Sequence, residues 1–523
     1  MDINIVRFSV VTIMKNLDKN TVFESDNTYI YSSAELHFTL ADTTRVTDEK
    51  YLTVHEGATH LDVAFLLKDL ENVVLDFGGA VLRLRGRIQP FLLDNCKNVT
   101  LRNVTVEYER SLFTELDVVK NTGDTLVVRQ RKNFPCRVEN GHFIPYGADY
   151  EDRDLYRKGC MFIQAFHRET GDGMGLDVIY LGENIIPEPS PPASNIQHVR
   201  VKEDGENFVL YGRFPSHWDE TAVVALEHEN RFKSSVSVLH CKDVCIENYR
   251  ILNGCGMGIF VLCTDNISLN GYRLYRDALS HGIVTNSADG VHFVACKGKV
   301  TMENCVFEGM IDDALNIHAN FYSTLRAEGN TLLAARSEAS HALNAYSQVF
   351  RAGDVIAVYN GHTMEEKARF VLRDVQIVDR WTVRLATDRP TDCLCADDLI
   401  ENISTNPEIY IRNCRFGKAN SHLRFQSRGK TVIENCEFSL PVLLTGDMDY
   451  WFESSPVQDF TLHNCVFASD RARVCIVPSF TPTEKAPFYH QNIKILNNRF
   501  ASADPLEQHG ADNVVFEGNE IDA

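Results

Sequence analysis

Three carboxylates are spaced for acid–base chemistry. Asp289 lies in Asn286-Ser287-Ala288-Asp289-Gly290-Val291-His292-Phe293. Asp312 and Asp313 lie in Ile311-Asp312-Asp313-Ala314-Leu315-Asn316-Ile317. The two strings overlay with a shift of 24 residues, and a solenoid rung is roughly 20–30 residues long. One rung apart, Asp289 and Asp313 stack at about the 4.8 Å spacing of neighbouring strands, with Asp312 beside them. Three carboxylates this close repel one another, a cost that folds accept mainly at working sites. Two carboxyl groups flanking a glycosidic bond supply a general acid and a general base, and room for a water between base and sugar gives inversion. The pattern predicts that Asp289 and Asp313 hold and activate the water and that Asp312 is the acid. An isolated Asp-Gly or Asp-Asp is an ordinary turn signal; the rung-to-rung match lifts these above it. Strict alternation would turn Asp313 inward with Leu315 and Ile317, so both aspartates must precede the regular strand, on a turn.

The same register supplies candidate substrate contacts. His292, Asn316 and His318 are predicted to point outward from the strands that follow the aspartates. In the later string Ser421-His422-Leu423-Arg424-Phe425-Gln426-Ser427-Arg428, inward Leu423 and Phe425 place Arg424 and Gln426 in line with Asn316 and His318. Arg428 follows on the same segment. The segment Asp447-Met448-Asp449-Tyr450-Trp451-Phe452-Glu453 reads as a loop leaving a strand. There Trp451 or Tyr450 can stack on the apolar face of a sugar, with Glu453 as a polar contact. His281 is a weaker candidate.

The elements that must position these residues are repeats. The pattern Asn-Val-x-Ile-x-Asn-x-x-Phe runs through residues 71–79, 97–106, 243–248, 266–271 and 300–307, then 409–416, 431–438, 460–467, 493–500 and 514–521. Alternating apolar residues make a short strand with one face inward. The Asn or Gly turns the chain, because both tolerate left-handed backbone angles. The fold class predicted is all-β, a right-handed parallel β-helix interrupted by two inserted small β-barrel-like modules. The expected division is residues 1–111 for an N-terminal cap and first rungs, 112–235 for the first insertion and 236–321 for the rungs with the aspartates. Residues 322–406 are the second insertion and 407–523 the C-terminal rungs. Insertions of this size project from one face of a solenoid, often the binding face.

Bulk properties narrow the partners. A chain of 523 residues with formal charge −20 is a poor partner for nucleic acid or anionic membranes. No run has the length of a membrane span. The N-terminus lacks a basic start and a sustained apolar stretch, so the expected location is cytoplasmic, or secreted or periplasmic if a signal was removed. Of the 15 cysteines, Cys305, Cys414, Cys436 and Cys465 each follow an Asn at one repeat position. None pairs with zinc-ligand spacing, so they read as buried reduced thiols. No metal and no cofactor are expected. The expected partner is a carbohydrate, with a homo-oligomer as a further possibility.

The aspartate strings resemble the polygalacturonase family, glycoside hydrolase family 28, which carries Asn-x-Asp-Gly and then Gly-Asp-Asp about one rung later. That resemblance implies an inverting, metal-free mechanism. The Asn-x-Asp spacing here has one extra residue, and the family's Gly-His-Gly and Arg-Ile-Lys motifs are absent. The strings ADGVHF, DDALNIH, RFQSRGKTVIENCEF and YWFES are more similar to glycoside hydrolase family 110, the α-1,3-galactosidases, from about residue 50 onward. This implies an exo-acting, inverting enzyme that releases terminal α-1,3-linked galactose from blood-group-B-type or linear glycans. The alternatives are a polygalacturonase-like or other glycan hydrolase on the same fold, and a non-catalytic glycan-binding β-helix in which the aspartates only close turns.

Overall fold

The structure is a computed structural model. It describes residues 22–25, 27–52, 59–147, 149–151, 161–174, 179–181, 196–197, 199–228, 234–336, 343–419, 421–448, 451–479 and 489–522. Among these there is no α-helix, only short 3-10 turns such as Leu40–Asp42. Among the described residues no helix is long and apolar enough to cross a membrane.

The chain winds into a parallel β-helix whose rungs contribute strands to three ladders. One ladder runs through Lys242–Ile251, Asp265–Asn270, Lys297–Glu303, Glu408–Arg412, Thr431–Glu434, Phe460–His463, His490–Leu496 and Ala511–Glu517. A second ladder of short strands includes Val306–Glu308, Arg415–Gly417 and Glu437–Phe438. The third runs through Gln89–Asp94, Val236–Leu239, Ile259–Leu262, Val291–Val294, the start of Leu315–Glu328, Leu423–Gln426, Val442–Leu444 and Val474–Ile476.

The repeat residues have the jobs their chemistry suggests. The asparagines that separate the first and second ladders are left-handed, with φ of 48° to 58° at Asn103, Asn248, Asn304, Asn413, Asn435, Asn464 and Asn497. An Asn pays little for that conformation. The following cysteine turns inward, and the backbone amides of Cys305, Cys414 and Cys436 each approach the Sγ of the cysteine one rung on, at 3.4 Å. All the described cysteines are free thiols. The Phe that closes the repeat stacks on its counterparts: Phe307 on Phe416 at 4.9 Å, Phe438 on Phe467 at 4.9 Å, Phe467 on Phe500 at 4.3 Å. Identical positions on successive rungs thus bury identical side chains, and one continuous apolar core fills the coil.

Two long excursions leave the coil. Between Phe113 and Glu227 the chain builds an eight-stranded, mainly antiparallel sheet with a three-stranded companion and its own core around Leu116, Leu126, Ile163, Leu210 and Trp218. Between Phe321 and Asn402 six strands close on themselves. Leu315–Glu328 pairs with Thr331–Ala335, which pairs with Thr382–Thr387, then Glu366–Ile377, Val355–Tyr359 and Leu399–Asn402, which returns to Leu315–Glu328. One strand therefore begins as a rung of the coil and ends as a stave of this barrel. The barrel's apolar residues pack on the outward side chains of the third ladder, Leu92, Leu239, Phe260, Leu262 and Val294.

Candidate active site

The third ladder sets the register of the candidate residues. His292 pairs with Asn316 and Asn316 with Arg424; Val294 pairs with His318 and His318 with Gln426. The same counting places Asp289, Asp313 and Ser421 in one column just ahead of the strands. The strands begin at Val291, Leu315 and Leu423, so both aspartates sit on the turns, clear of the alternation that would bury them in the coil. The Gly290 amide donates to the Asp313 carbonyl at 2.8 Å, which fixes the two turns one rung apart. Gly290 permits this approach: a Cβ there would lie 2.6 Å from the Ala314 carbonyl oxygen and 2.7 Å from the Phe307 ring.

The turns are held from outside the coil. The Asn286 side chain donates to the Asp289 carbonyl at 2.8 Å. From the first insertion, the buried Glu115 carboxylate accepts from the amides of Ile283 and Val284 at 2.6 and 2.7 Å and pairs with Arg131 at 2.6 Å. Gln164 donates to the Ile311 carbonyl, immediately before Asp312, at 3.0 Å. Ile283, Val284 and Ile311 pack with Phe113, Phe166, Val223 and Ala225 of that insertion. The insertion therefore grips both aspartate turns.

Asp289 and Asp313 are buried and Asp312 is half-buried. Asp313 accepts from Ser421 Oγ at 2.5 Å, with His422 Nδ1 at 3.5 Å and Arg424 Nε at 3.9 Å. Burial opposes its charge, but His422, Arg424 and Ser421 outweigh burial and hold its carboxyl below the usual range. Asp289 Oδ2 lies 2.5 Å from His292 Nδ1. His292 Nε2 lies 2.7 Å from His318 Nε2, and His318 Nδ1 lies 2.6 Å from the Ala319 carbonyl oxygen. Glu453 comes from the later loop, whose Glu453–Ser454 pairs antiparallel with Ala319 and Asn320. Its carboxylate accepts from Gln426 at 2.7 Å and from Asn316 at 3.3 Å, with His318 Nε2 at 3.5 Å and Arg424 Nη2 at 3.7 Å. Burial raises the Glu453 carboxyl, but His318, Arg424, His292 and Gln426 together bring it well below the usual range. Burial pushes His318 down to about 4. At neutral pH His318 is therefore uncharged, and Arg424 is the cation that keeps Glu453 ionised. Burial likewise opposes the Arg424 charge, and Glu453, Asp313, Asp447 and Asp312 overcome it.

Besides the three aspartates, six of the residues singled out from sequence come together. His292, Asn316, His318, Arg424, Gln426 and Glu453 form one network behind the aspartates; all but Arg424 are nearly or fully buried. Arg424 Nε and Asn316 Oδ1 make no hydrogen bond within the described residues. Arg428 lies elsewhere. It pairs with the buried Glu401 of the barrel at 2.8 Å and also donates to the Tyr359 hydroxyl. Trp451 is half-buried; its amide donates to Asp447 Oδ2 at 3.2 Å and its carbonyl accepts from Arg336 at 2.8 Å. Tyr450 lies outside the described residues. His281 bonds Glu107 at 2.6 Å, apart from the aspartates. Ser421 and His422 were not singled out from sequence, although the alignment that matched Arg424 to Asn316 also carries Ser421 to Asp313.

Donor atoms of His292, His318 and Glu453 lie within 4.8 Å of one another, close enough for a metal ion. The two imidazole nitrogens that would ligate it are instead 2.7 Å apart and bonded to each other. The group is a hydrogen-bonded chain.

No protein-family profile matches the chain. Curated proteins do. The α-1,3-galactosidase B of Bacteroides thetaiotaomicron is 26% identical over 465 residues, 84% of this chain and 71% of its own. The α-1,3-galactosidase A of Shewanella woodyi is 26% identical over 461 residues, 84% and 71%. The α-1,3-galactosidase A of Bacteroides fragilis is 26% identical over 479 residues, 88% and 75%. Among solved structures, the family 28 exopolygalacturonase of Yersinia enterocolitica aligns over 94% of this chain and 76% of its own. Its 11% identity and TM-score of 0.29 are too low to carry an argument. Across most of its length the chain is a homologue of bacterial proteins named α-1,3-galactosidase.

Proposed function

We propose that the protein is an exo-acting, inverting glycosidase that releases terminal α-1,3-linked galactose. The observation that carries this reading is the fixing of Asp289 and Asp313 on adjacent rungs with Asp312 beside them, in a chain similar over 84% of its length to a protein named α-1,3-galactosidase B.

The roles follow from surroundings. Asp313 is kept ionised by Ser421, His422 and Arg424, as suits a group that orients and polarises a water. Asp289, on the rung above, is the partner that takes the water's proton. Asp312 is the least buried of the three, which suits the acid that must meet the leaving oxygen. The water's oxygen bonds to the anomeric carbon, the glycosidic electron pair departs on the aglycone oxygen, and that oxygen receives the Asp312 proton. Arg424, the one member of the network with exposed surface, is placed to meet sugar hydroxyls, and the half-buried Trp451 is the candidate apolar face. The first insertion and the barrel both pack beside this patch. Two insertions packed beside one patch of the coil support a site for a chain end, and so exo action.

The test is a substrate screen. Galactose release from p-nitrophenyl α-galactoside and from galactose-α-1,3-galactose is expected. Cleavage of polygalacturonate alone, or binding of glycans without hydrolysis, would contradict the reading.

A further inference from the structure

The bonds of the buried histidine chain fix its proton inventory. A carbonyl oxygen only accepts, so at 2.6 Å from the Ala319 oxygen His318 Nδ1 must carry its hydrogen. The Asn320 amide at 3.4 Å from the same nitrogen is too distant to compete. His318 is neutral down to about pH 4 because of its burial, so its Nε2 is bare and must accept. The donor across the 2.7 Å contact is then His292 Nε2–H. This leaves His292 Nδ1 facing Asp289 Oδ2 at 2.5 Å. A bare Nδ1 against a bare carboxylate would be two acceptors in contact, so one proton must lie between them.

We propose that Asp289 and His292 form a buried dyad sharing one proton, and that this dyad, with Glu453 as its counter-charge, takes up the proton of the attacking water. The proposal rests on the inverting reading above and deepens it. The step balances. The water gives its proton to Asp289, the shared proton moves fully onto His292 Nδ1, and the water's electron pair forms the new bond to the anomeric carbon. Asp289 ends as the neutral acid and His292 as imidazolium. The groups around His292 include Asp289 on its own turn, His318 and Asn316 on the next rung and the Phe260 ring at 6.0 Å, with Arg424 and Gln426 one rung further and Glu453 reaching the network from the loop. Among them Glu453, 3.5 Å from His318 Nε2, is the anion placed to offset the new positive charge through His318. His292 and His318 are thereby positioning residues. Sugar contacts were the task expected of them from sequence; both rings are nearly buried.

The decisive experiment is nitrogen NMR of the whole, substrate-free protein labelled with 15N in its histidine rings, with His292 and His318 assigned from His292→Gln and His318→Gln. His292 Nε2 should bear a proton and His318 Nε2 none at neutral pH, and a strongly deshielded proton at His292 Nδ1 should vanish in Asp289→Asn. A bare His292 Nε2 would overturn the proposal, since Asp289 would then face a simple Nδ1–H. Kinetics provide a second arm. His292→Gln should lower kcat at least about 100-fold, the low end of a general-base contribution, with KM little changed. The limb of the kcat/KM profile that reports the base should move to higher pH, towards that of a simple carboxylate, because Asp289 loses the positive partner that favours its ionised form. A folded variant with wild-type kcat or an unmoved limb would also overturn it. The NMR arm needs no substrate. The dyad pattern in a protein that hydrolyses no α-galactoside would therefore sink the proposed activity while leaving the dyad intact.

Discussion

At the scale of single residues, the three aspartates differ by what touches them, and the differences are testable. Asn at any of the three keeps the shape and removes a charge or a proton, so each variant should lose about 10²- to 10⁴-fold in kcat. Leaving-group dependence separates the roles. Asp312→Asn should be partly rescued on p-nitrophenyl α-galactoside, because nitrophenolate departs without protonation. Asp289→Asn and Asp313→Asn should stay slow on both substrates, because activation of the water is what they lack. Equal rescue at all three positions, measured as kcat on the two substrates, would remove these assignments. The role of Trp451 is checked by KM: Trp451→Ala should raise KM more than it lowers kcat, as loss of a face that stacks on the sugar would.

At the scale of elements, the site is made by rungs and held by what the rungs interrupt. The barrel is tied to the coil by Arg428, which meets Glu401, a residue with no exposed surface, while Glu401 also accepts from Ser455 next to the Glu453 loop. Removing one partner of a buried pair leaves the other charged and unpaired, which typically costs about 3–5 kcal/mol. Arg428→Ala should lower unfolding stability by about that much in denaturant titration, whereas a surface change such as Arg326→Ala, at a side chain 70% exposed, should hardly register. These contacts also show where sequence reading stops. Alternation and Asn turns are local signals, so the ladders, the inward cysteines and the place of the aspartates ahead of their strands were all legible. The Asn316–Arg424 register was legible too, because both strands carry the same inward pattern. What Arg428 and Glu453 would meet was not, since their partners come from the barrel and from a loop that returns antiparallel to the rung. The grip of Glu115 and Gln164 on the aspartate turns was equally hidden, lying more than a hundred residues away in the chain.

At the scale of the whole molecule, buried neutral histidines set the response to acid. Burial lowers His318 to about 4, His490 to about 3 and His228 well below its ordinary value. Each contributes stability that is complete above the unfolded value near 6.5 and falls away as the pH drops towards the folded value. Between pH 6.5 and about 4 each such group adds a slope of roughly 1.4 kcal/mol per pH unit. The unfolding midpoint should therefore fall steeply across that window, and His490→Gln, remote from the aspartates, should flatten the fall if it folds. A midpoint insensitive to pH over that range would show that these rings are not held neutral. The acid–base scheme itself needs no metal, so activity should survive exhaustive chelation. Loss on EDTA treatment, restored by calcium or zinc, would make the carboxylates ligands. The central claim, that Asp289 and Asp313 activate a water opposite the acid Asp312, is tested most directly by proton NMR of the first-formed sugar during early hydrolysis of an α-galactoside. The expected product is β-galactose, appearing before mutarotation. First-formed α-galactose would mean a retaining double displacement and would contradict the account.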